Sequence, residues 1–555
     1  MTPIYELAER YVEELARLDP VAATRSGIAG HESAPSDYSP AGFEAIASFE
    51  RHILAELRAL APENDRDRIA KDLMAERIQV RLDRFDAGEQ FRELRIIASP
   101  FQAPRDVFDV QPRTNLGEWQ ALIQRMATVP QMVDGYVRTI QSGFERGTPP
   151  ARLQVEECIR QAETWSGHAS GESAFARIVR EFGGSGFNTP ALLGELSAAA
   201  SAAAASYARA AAELGSLLPK AVERDAVGRE RYALGVRYFT GAELDLEETY
   251  NWAWDELKSI EQSMAETAAK IVPGGSVGTA LTLLDSDPAR VIEGVDAYRE
   301  WLQGIHDQAL ADLAGTHFDI PEQIRRVEVL IPPPGGAMAA HYTGPSEDFS
   351  RPGRTWWPTG TATRFPKWTE VTTAYHEGVP GHHFEIGLRK CQQEQLSRYQ
   401  RSWAGNSGYS EGWALYAERL MGELGYFANP DYFVGLLAAQ VLRAVRVIID
   451  IGMHLELTIP AGQPFHPGET WNHALGLEFA LHRGRPEEFM RSELVRYLGW
   501  PGQAISYKVG ERYWLQAREA ARARLGDRFS LKEFHMSALR LGPMGLDQLH
   551  REMSA

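Results

Sequence analysis

The chain has 555 residues, 44% hydrophobic and 24% charged, the proportions of a soluble globular protein with room for one large domain or several smaller ones. Its formal charge of −17 argues against a nucleic-acid binder, because phosphate contacts need clustered Lys and Arg, and it disfavours anionic membrane surfaces. With only Cys158 and Cys391, a disulfide framework is not expected and a four-thiolate zinc site is excluded, so any metal must be held by His and carboxylate.

The first residues turn polar and helical at once, with no basic segment leading into an apolar run, so no signal peptide is read and a cytoplasmic location is expected. Up to about residue 270 the pattern is helix after helix. Tyr5, Leu7, Ala8, Tyr11, Val12 and Leu15 recur at helical spacing, and Ala191 to Leu214 predicts an Ala-rich helix with a small-residue face. Turns are marked at Ser36 to Pro40, Gly183 to Gly186, Leu218-Pro219 and Pro273 to Ser276. No fixed-period repeat is visible.

Residues 326 to 365 change character. Arg326 to Ile331 alternates like a strand and stops at Pro332-Pro333-Pro334-Gly335-Gly336. Further β-branched and aromatic residues follow at His341-Tyr342, Arg351 to Pro358 and Gly360 to Arg364. These predict a short sheet with an edge strand, which the segment from Arg351 to Pro358 would supply for pairing with extended substrate backbone. Helices resume after residue 366.

There the most informative stretch begins, His376-Glu377-Gly378-Val379-Pro380-Gly381-His382-His383. It nearly matches His-Glu-x-x-His, in which two imidazoles one turn apart hold zinc and the Glu activates water. Pro380 stands where the second His is expected. On an unbroken helix His383 would lie about 10.5 Å along the axis from His376, and His382 about 9 Å along and roughly 120° around, so neither could share an ion with it. A break at Val379-Pro380-Gly381 could fold either one back toward His376, with His382 needing the smaller correction. The bland alternative is an ordinary helix stop with solvated histidines.

Three further groups follow. Tyr409 to Arg419 predicts a helix capped by Ser410, with Glu411 and Glu418 two turns apart on one side. Glu411 is the candidate third metal ligand, and Glu418 a candidate partner for a ligand histidine, against the usual fate of Glu as a solvated side chain. Arg446, Asp450 and His454 share a helical stripe in an otherwise apolar segment, Val434 to Met453, which Arg443, Arg446 and Asp450 interrupt, so no bilayer span is expected. They form either an internal Arg–Asp pair with a bonded His, or a cleft wall in which Arg446 or His454 polarises a substrate carbonyl and Asp450 supports them. Gln503 and Tyr507 share a face after the turn at Pro501-Gly502. Tyr507 is a candidate oxyanion donor, although a lone Tyr is more often a packed aromatic.

Taken together, these blocks resemble the bacterial domain-of-unknown-function family 885, whose members look like relatives of the gluzincin metallopeptidases. The resemblance runs from Tyr11 to Pro20 and Arg231 to Thr240, through Tyr375 to His383 and Ser410 to Glu418, to Arg446 to His454, Pro501 to Lys508 and Phe534-His535. One departure is Asp450-Ile451-Gly452, where the family often carries Asp-Thr-Gly. The resemblance implies a mainly α, gluzincin-like fold with a small sheet beside the active-site helix, and His376, Glu377 and Glu411 as ligand, base and ligand.

The expected organisation is an N-terminal helical region over residues 1–230 and a catalytic, zincin-like region over 231–555, continuous as one two-lobed unit. The expected activity is zinc-dependent hydrolysis of a small peptide or related amide. One Zn ion is held by His376, by His382 or His383, and by Glu411, with Glu377 as general base. Tyr507, His454 and Arg446 compete for the oxyanion role. The rivals are an amide-forming or amide-transferring enzyme on the same site, and a non-catalytic helical scaffold. Oligomeric state is not legible.

Overall fold

The computed structural model describes residues 1–332, 339–483 and 486–554, so Pro333 to Gly336 of the predicted strand stop lie outside the described residues. The described chain is mainly helical, with few short strands. Its internal contacts divide it into two compact units. One comprises residues 1–67, 74–227 and 491–500, the other 68–73, 228–490 and 501–555.

The first unit is all helix. Helix α1 (Pro3–Leu18) starts where Thr2 accepts a hydrogen bond from the Tyr5 amide and Pro3 presets the first turn. It buries Ile4, Leu7, Ala8, Tyr11, Val12 and Ala16 along one stripe. The unit's core gathers Trp119, Met126, Val133 and Ile140 of α2 (Leu116–Glu145), Val155 and Cys158 of α3 (Arg152–Ser166), and Leu196, Ala203 and Tyr207 of α4 (Pro190–Leu217). The alanines of α4 are used as a packing face: Ala199, Ala200, Ala203 and Ala210 are buried.

The second unit contains α5 (Arg229–Thr240), α6 (Leu246–Ile271) and α7 (Val295–Leu313), then the short strands, then six helices that matter for the site. Strands β1 (Val291–Glu293), β2 (Val327–Leu330), β3 (His341–Thr343), β4 (Gly353–Trp356) and β5 (Arg364–Pro366) form two small sheets. β1 pairs antiparallel with β5. In the other sheet β4 lies in the middle, parallel to β2 and antiparallel to β3. This corrects one expectation. The segment from Arg351 to Pro358 contributes the central strand, whose amides and carbonyls are shared with two neighbours, so it cannot serve as a free edge. Among the described residues the edges belong to β2 and β3.

Helices α8 (Lys367–Glu377), α9 (His382–Cys391), α10 (Ser407–Glu423), α11 (Pro430–Leu455), α12 (Ser506–Leu525) and α13 (Leu531–Arg540) complete the unit's frame. Two glycine contacts set their spacing. A Cβ on Gly412 would lie 2.4 Å from the backbone of Gly510, so α10 and α12 touch main chain to main chain. A Cβ on Gly435 would lie 1.8 Å from the Trp368 carbonyl, which brings α11 equally close to α8. Helix α11 is long and apolar enough to cross a membrane by length and composition, with a mean hydropathy of 1.7, but 83% of that stretch is buried inside the fold.

Buried histidines couple this unit's stability to pH, His306 and His535 among them. Burial, with His383 nearby, pushes His306 down to about 3. Burial, with Arg518 and His317 adding to it, pushes His535 down to about 3. Both are neutral in the fold at pH 7, whereas in the unfolded chain they protonate near pH 6.5. As pH falls below 6.5 the unfolded state takes up protons first, so their contribution is present above that value and is lost progressively toward pH 3. Each costs about tenfold in the folding equilibrium per pH unit. His535→Gln is therefore expected to show a shallower fall in urea midpoint than wild type between pH 7 and pH 5. Identical slopes would remove His535 as a contributor.

Candidate metal centre

The sequence break at Val379-Pro380-Gly381 is a break in the structure. Helix α8 ends at Glu377 and α9 begins at His382, with Gly378 at φ −94°, ψ −126° and Gly381 at φ −75°, ψ −130° between them. The Val379–Pro380 peptide is cis. The backbone polar groups of this connection are used: Gly381 N–H donates to Tyr375 O at 3.1 Å and His383 N–H to Gly378 O at 3.1 Å. Trp413 of α10 donates its indole N–H to Pro380 O at 2.8 Å, which ties the break to the next helix. Both glycines are required by close approach. A Cβ on Gly378 would sit 2.3 Å from Nδ1 of His306, and one on Gly381 2.0 Å from the His376 carbonyl.

Through this break the imidazoles of His376 and His382 come together, with ring centroids 4.8 Å apart and planes nearly perpendicular. One ligand-capable atom from each of His376, Glu377 and His382 lies within 4.8 Å of the others, and all three residues are buried. Glu411 joins them from α10. Its Oε2 lies 3.3 Å from His376 Nε2 and 3.4 Å from His382 Nε2. That oxygen is buried and makes no hydrogen bond, so the two short separations are not aligned N–H···O contacts. They match the edges of a tetrahedron: ligand atoms about 2.0–2.1 Å from zinc stand roughly 3.3–3.4 Å apart. The donor set, two imidazoles and a carboxylate with no thiolate, suits zinc with an open fourth position.

Behind His376, Glu418 accepts a hydrogen bond at Oε1 from Nδ1, 2.7 Å away. A proton is thereby held on Nδ1, which leaves Nε2 as the nitrogen that a metal would take. Glu418 is fully buried, accepts the Thr372 hydroxyl at Oε2, and has the Arg443 guanidinium 3.7 Å from Oε1. Glu377 Oε2 is buried and makes no hydrogen bond.

Electrostatics bind the group together. Burial works against charge on His376, but the carboxylates of Glu411 and Glu418 outweigh it and lift its pKa to about 10. His382 is raised for the same reason, burial being overcome by Glu411. Burial opposes ionisation of Glu411 too, yet the two imidazoles hold it well below the usual carboxylate range. A divalent cation here would replace the imidazole protons, so its binding would release protons.

His383 points elsewhere. Its Nε2 donates to the Ile324 carbonyl at 2.8 Å, which leaves Nδ1 to accept the Tyr342 hydroxyl at 3.0 Å. Both ring nitrogens are engaged, and burial pushes its pKa down to about 4, so it is a neutral strut between α9 and β3 and is not available as a ligand. The structure thus corrects the candidate ligand set, in which either His382 or His383 could turn inward: the turn at Gly381 starts α9 with His382 against the site and sends the next residue to the sheet side. A Cβ on Gly353 would lie 2.5 Å from this ring, so β4 also closes on it.

Of the remaining candidates, Tyr507 stacks against the His376 ring, centroids 6.4 Å apart and planes 18° from parallel. Arg446 places its guanidinium 4.8 Å over the Tyr507 ring. His454 is fully buried, with Nε2 3.7 Å from Asp450 Oδ1 and its ring 5.3 Å from Tyr232. Asp450 Oδ2 accepts from Tyr232 Oη at 2.8 Å and from the Gly502 amide at 3.1 Å. Thr372 and the tie from Trp413 to Pro380 were not singled out by sequence reasoning. Thr372 stands one turn before His376 on the same face, and that spacing was the available signal.

Fold and site define a mainly helical protein with a buried His–Glu–His group at a helix break. The chain belongs to the family described as "Bacterial protein of unknown function (DUF885)", which matches residues 20–553. It is similar to a crystal structure described as "the putative lipoprotein from Colwellia psychrerythraea", with TM-score 0.86 and 25% identity, covering 99% of this chain and 98% of that one. It also resembles "a putative lipoprotein of unknown function from Shewanella oneidensis", with TM-score 0.74 and 16% identity, covering 100% of both chains. No curated protein matches it.

Proposed function

We propose that this chain is a zinc-dependent hydrolase of peptides or related amides. The observation that carries the reading is the approach of His376 Nε2 and His382 Nε2 to one unbonded, buried oxygen of Glu411, beside the unbonded Oε2 of Glu377. A zinc ion held by His376, His382 and Glu411 would supply Lewis acidity, polarising an amide carbonyl and making water acidic enough to react near neutral pH. Glu377 accepts the proton given up by the attacking water and passes it to the leaving amine nitrogen. Glu418 keeps the His376 ring oriented. Tyr507, beside that ring, is the candidate to donate a hydrogen bond to the developing oxyanion, and Arg446 over its face favours that polarity. An extended peptide would pair with the edge at β3, which Tyr342 and His383 tie to α9.

The lipoprotein description of the Colwellia psychrerythraea relative supports a second location, outside the cytoplasm on a lipid anchor, as an alternative to the cytoplasmic one expected from the sequence. The chemistry proposed is the same in either compartment.

Metal analysis is the decisive experiment. Purified protein should carry one zinc per chain, and a chelator should lower its melting temperature because a ligand bound only to the folded state is withdrawn. His382→Ala should abolish stoichiometric zinc, and His383→Gln should retain it. Substoichiometric zinc with no thermal shift on chelation would favour a non-catalytic scaffold. Zinc lost from His383→Gln alone would reverse the ligand choice.

A further inference from the structure

We propose that Thr372 and Arg443 are positioning residues for the zinc site, acting through Glu418 on His376; the proposal rests on the zinc-site reading above. Three helices contribute. Glu418 on α10 has no exposure to solvent, and its two oxygens have different tasks. Oε1 takes the Nδ1 proton of His376, while Oε2 takes the hydroxyl of Thr372, which stands one turn earlier on α8, the helix that carries His376 itself. The threonine therefore fixes the carboxylate plane with respect to the ring it must orient. Without that second anchor the carboxylate is free to rotate about its last bond, and Oε1 leaves Nδ1.

Arg443 answers a different need. It sits in the apolar helix α11, where a guanidinium is costly unless it meets a charge. Its Nη2 lies 3.7 Å from Glu418 Oε1, so its cation faces the same carboxylate oxygen that holds the His376 ring. With the carboxylate anchored, Nδ1 stays directed at Glu418 and Nε2 stays turned to the space shared with Glu411 and His382. Should Glu418 swing away, the other tautomer becomes accessible, with an N–H aimed at Glu411 where a lone pair is required. Glu418 and Thr372 are both buried, so water does not replace the hydroxyl on Oε2. Arg443 and Thr372 thus set which nitrogen of His376 is a ligand without touching the metal.

The test uses the full chain, with zinc affinity measured by competition against a chromogenic chelator and the visible spectrum of the cobalt-loaded protein as a second readout. Thr372→Val and Arg443→Met should each weaken zinc binding by about 10- to 100-fold and shift the cobalt bands. Thr372→Ser and Arg443→Lys, which restore the hydroxyl and the cation, should recover most of the affinity. Should Thr372→Val fail to fold, Arg443→Met decides on the same scale. Val and Met variants that melt lower yet bind zinc within twofold of wild type, with unchanged cobalt bands, would overturn the proposal and leave the zinc site standing. Wild-type protein that binds no zinc would defeat the site reading itself.

Discussion

Glu377→Gln should reduce cleavage of a fluorogenic peptide by the zinc-loaded protein by about 10²- to 10⁴-fold, the range that a positioned acid–base group contributes, while zinc content stays at one per chain. The substitution keeps shape and length and removes only the ability to accept a proton. The site makes this a clean comparison: Glu377 Oε2 is buried and engages no other group, so an amide in its place breaks no hydrogen bond at that atom. The result also separates two roles. Glu377 is one of the three residues whose ligand-capable atoms lie within 4.8 Å of one another, so by proximity alone it could be a ligand. In the proposed zinc site Glu411 is taken as the ligand because its oxygen stands at nearly equal distance from both Nε2 atoms. If Glu377→Gln loses the metal together with the activity, that assignment is reversed. If turnover is the same in both proteins, Glu377 is not the base.

How much of this could be read from residue order depends on what periodicity encodes. The helical spacing of Tyr11 and Val12 describes a buried face, and the alternation of Arg326 to Ile331 describes a strand, because both are local patterns with a fixed repeat. Strand order is another matter. Nothing in Arg351 to Pro358 says that it will lie between β2 and β3, since strand order is fixed by partners outside the segment. The eight residues from His376 to His383 show the limit most clearly. Their composition offers several ligand-capable side chains, and Pro380 and Gly381 announce a break, but the direction each imidazole takes is set by backbone angles at Gly378 and Gly381 that no repeat specifies. The sheet-side partners of His383, Tyr342 and the Ile324 carbonyl, come from 41 and 59 residues earlier in the chain. Helix α11 gave the opposite difficulty. Its charged residues are conspicuous in the sequence, yet the carboxylate that justifies Arg443 belongs to another helix.

Gly381→Ala should be a damaging substitution of a single methyl, and one that acts directly on the site. The added Cβ would fall 2.0 Å from the carbonyl oxygen of His376 and 2.5 Å from that of Tyr375, both main-chain atoms of α8. A flexible side chain could step aside, but these carbonyls cannot move without unwinding the turn that carries His376. The break must therefore open, and His382, the next residue along, moves with it. Overpacking of this kind costs roughly 1–3 kcal/mol in an ordinary core; here it also separates the two imidazoles, so zinc affinity should fall along with melting temperature. Trp413 adds to the constraint, because its hydrogen bond to Pro380 resists the outward shift that would relieve the clash. Gly405→Ala is the control, since nothing lies within 4 Å of the Cβ it would add. Zinc titration and thermal melting of both variants give the comparison. A Gly381→Ala protein that binds zinc as tightly as the Gly405→Ala protein would mean that the metal, if held, does not depend on the closed turn between α8 and α9.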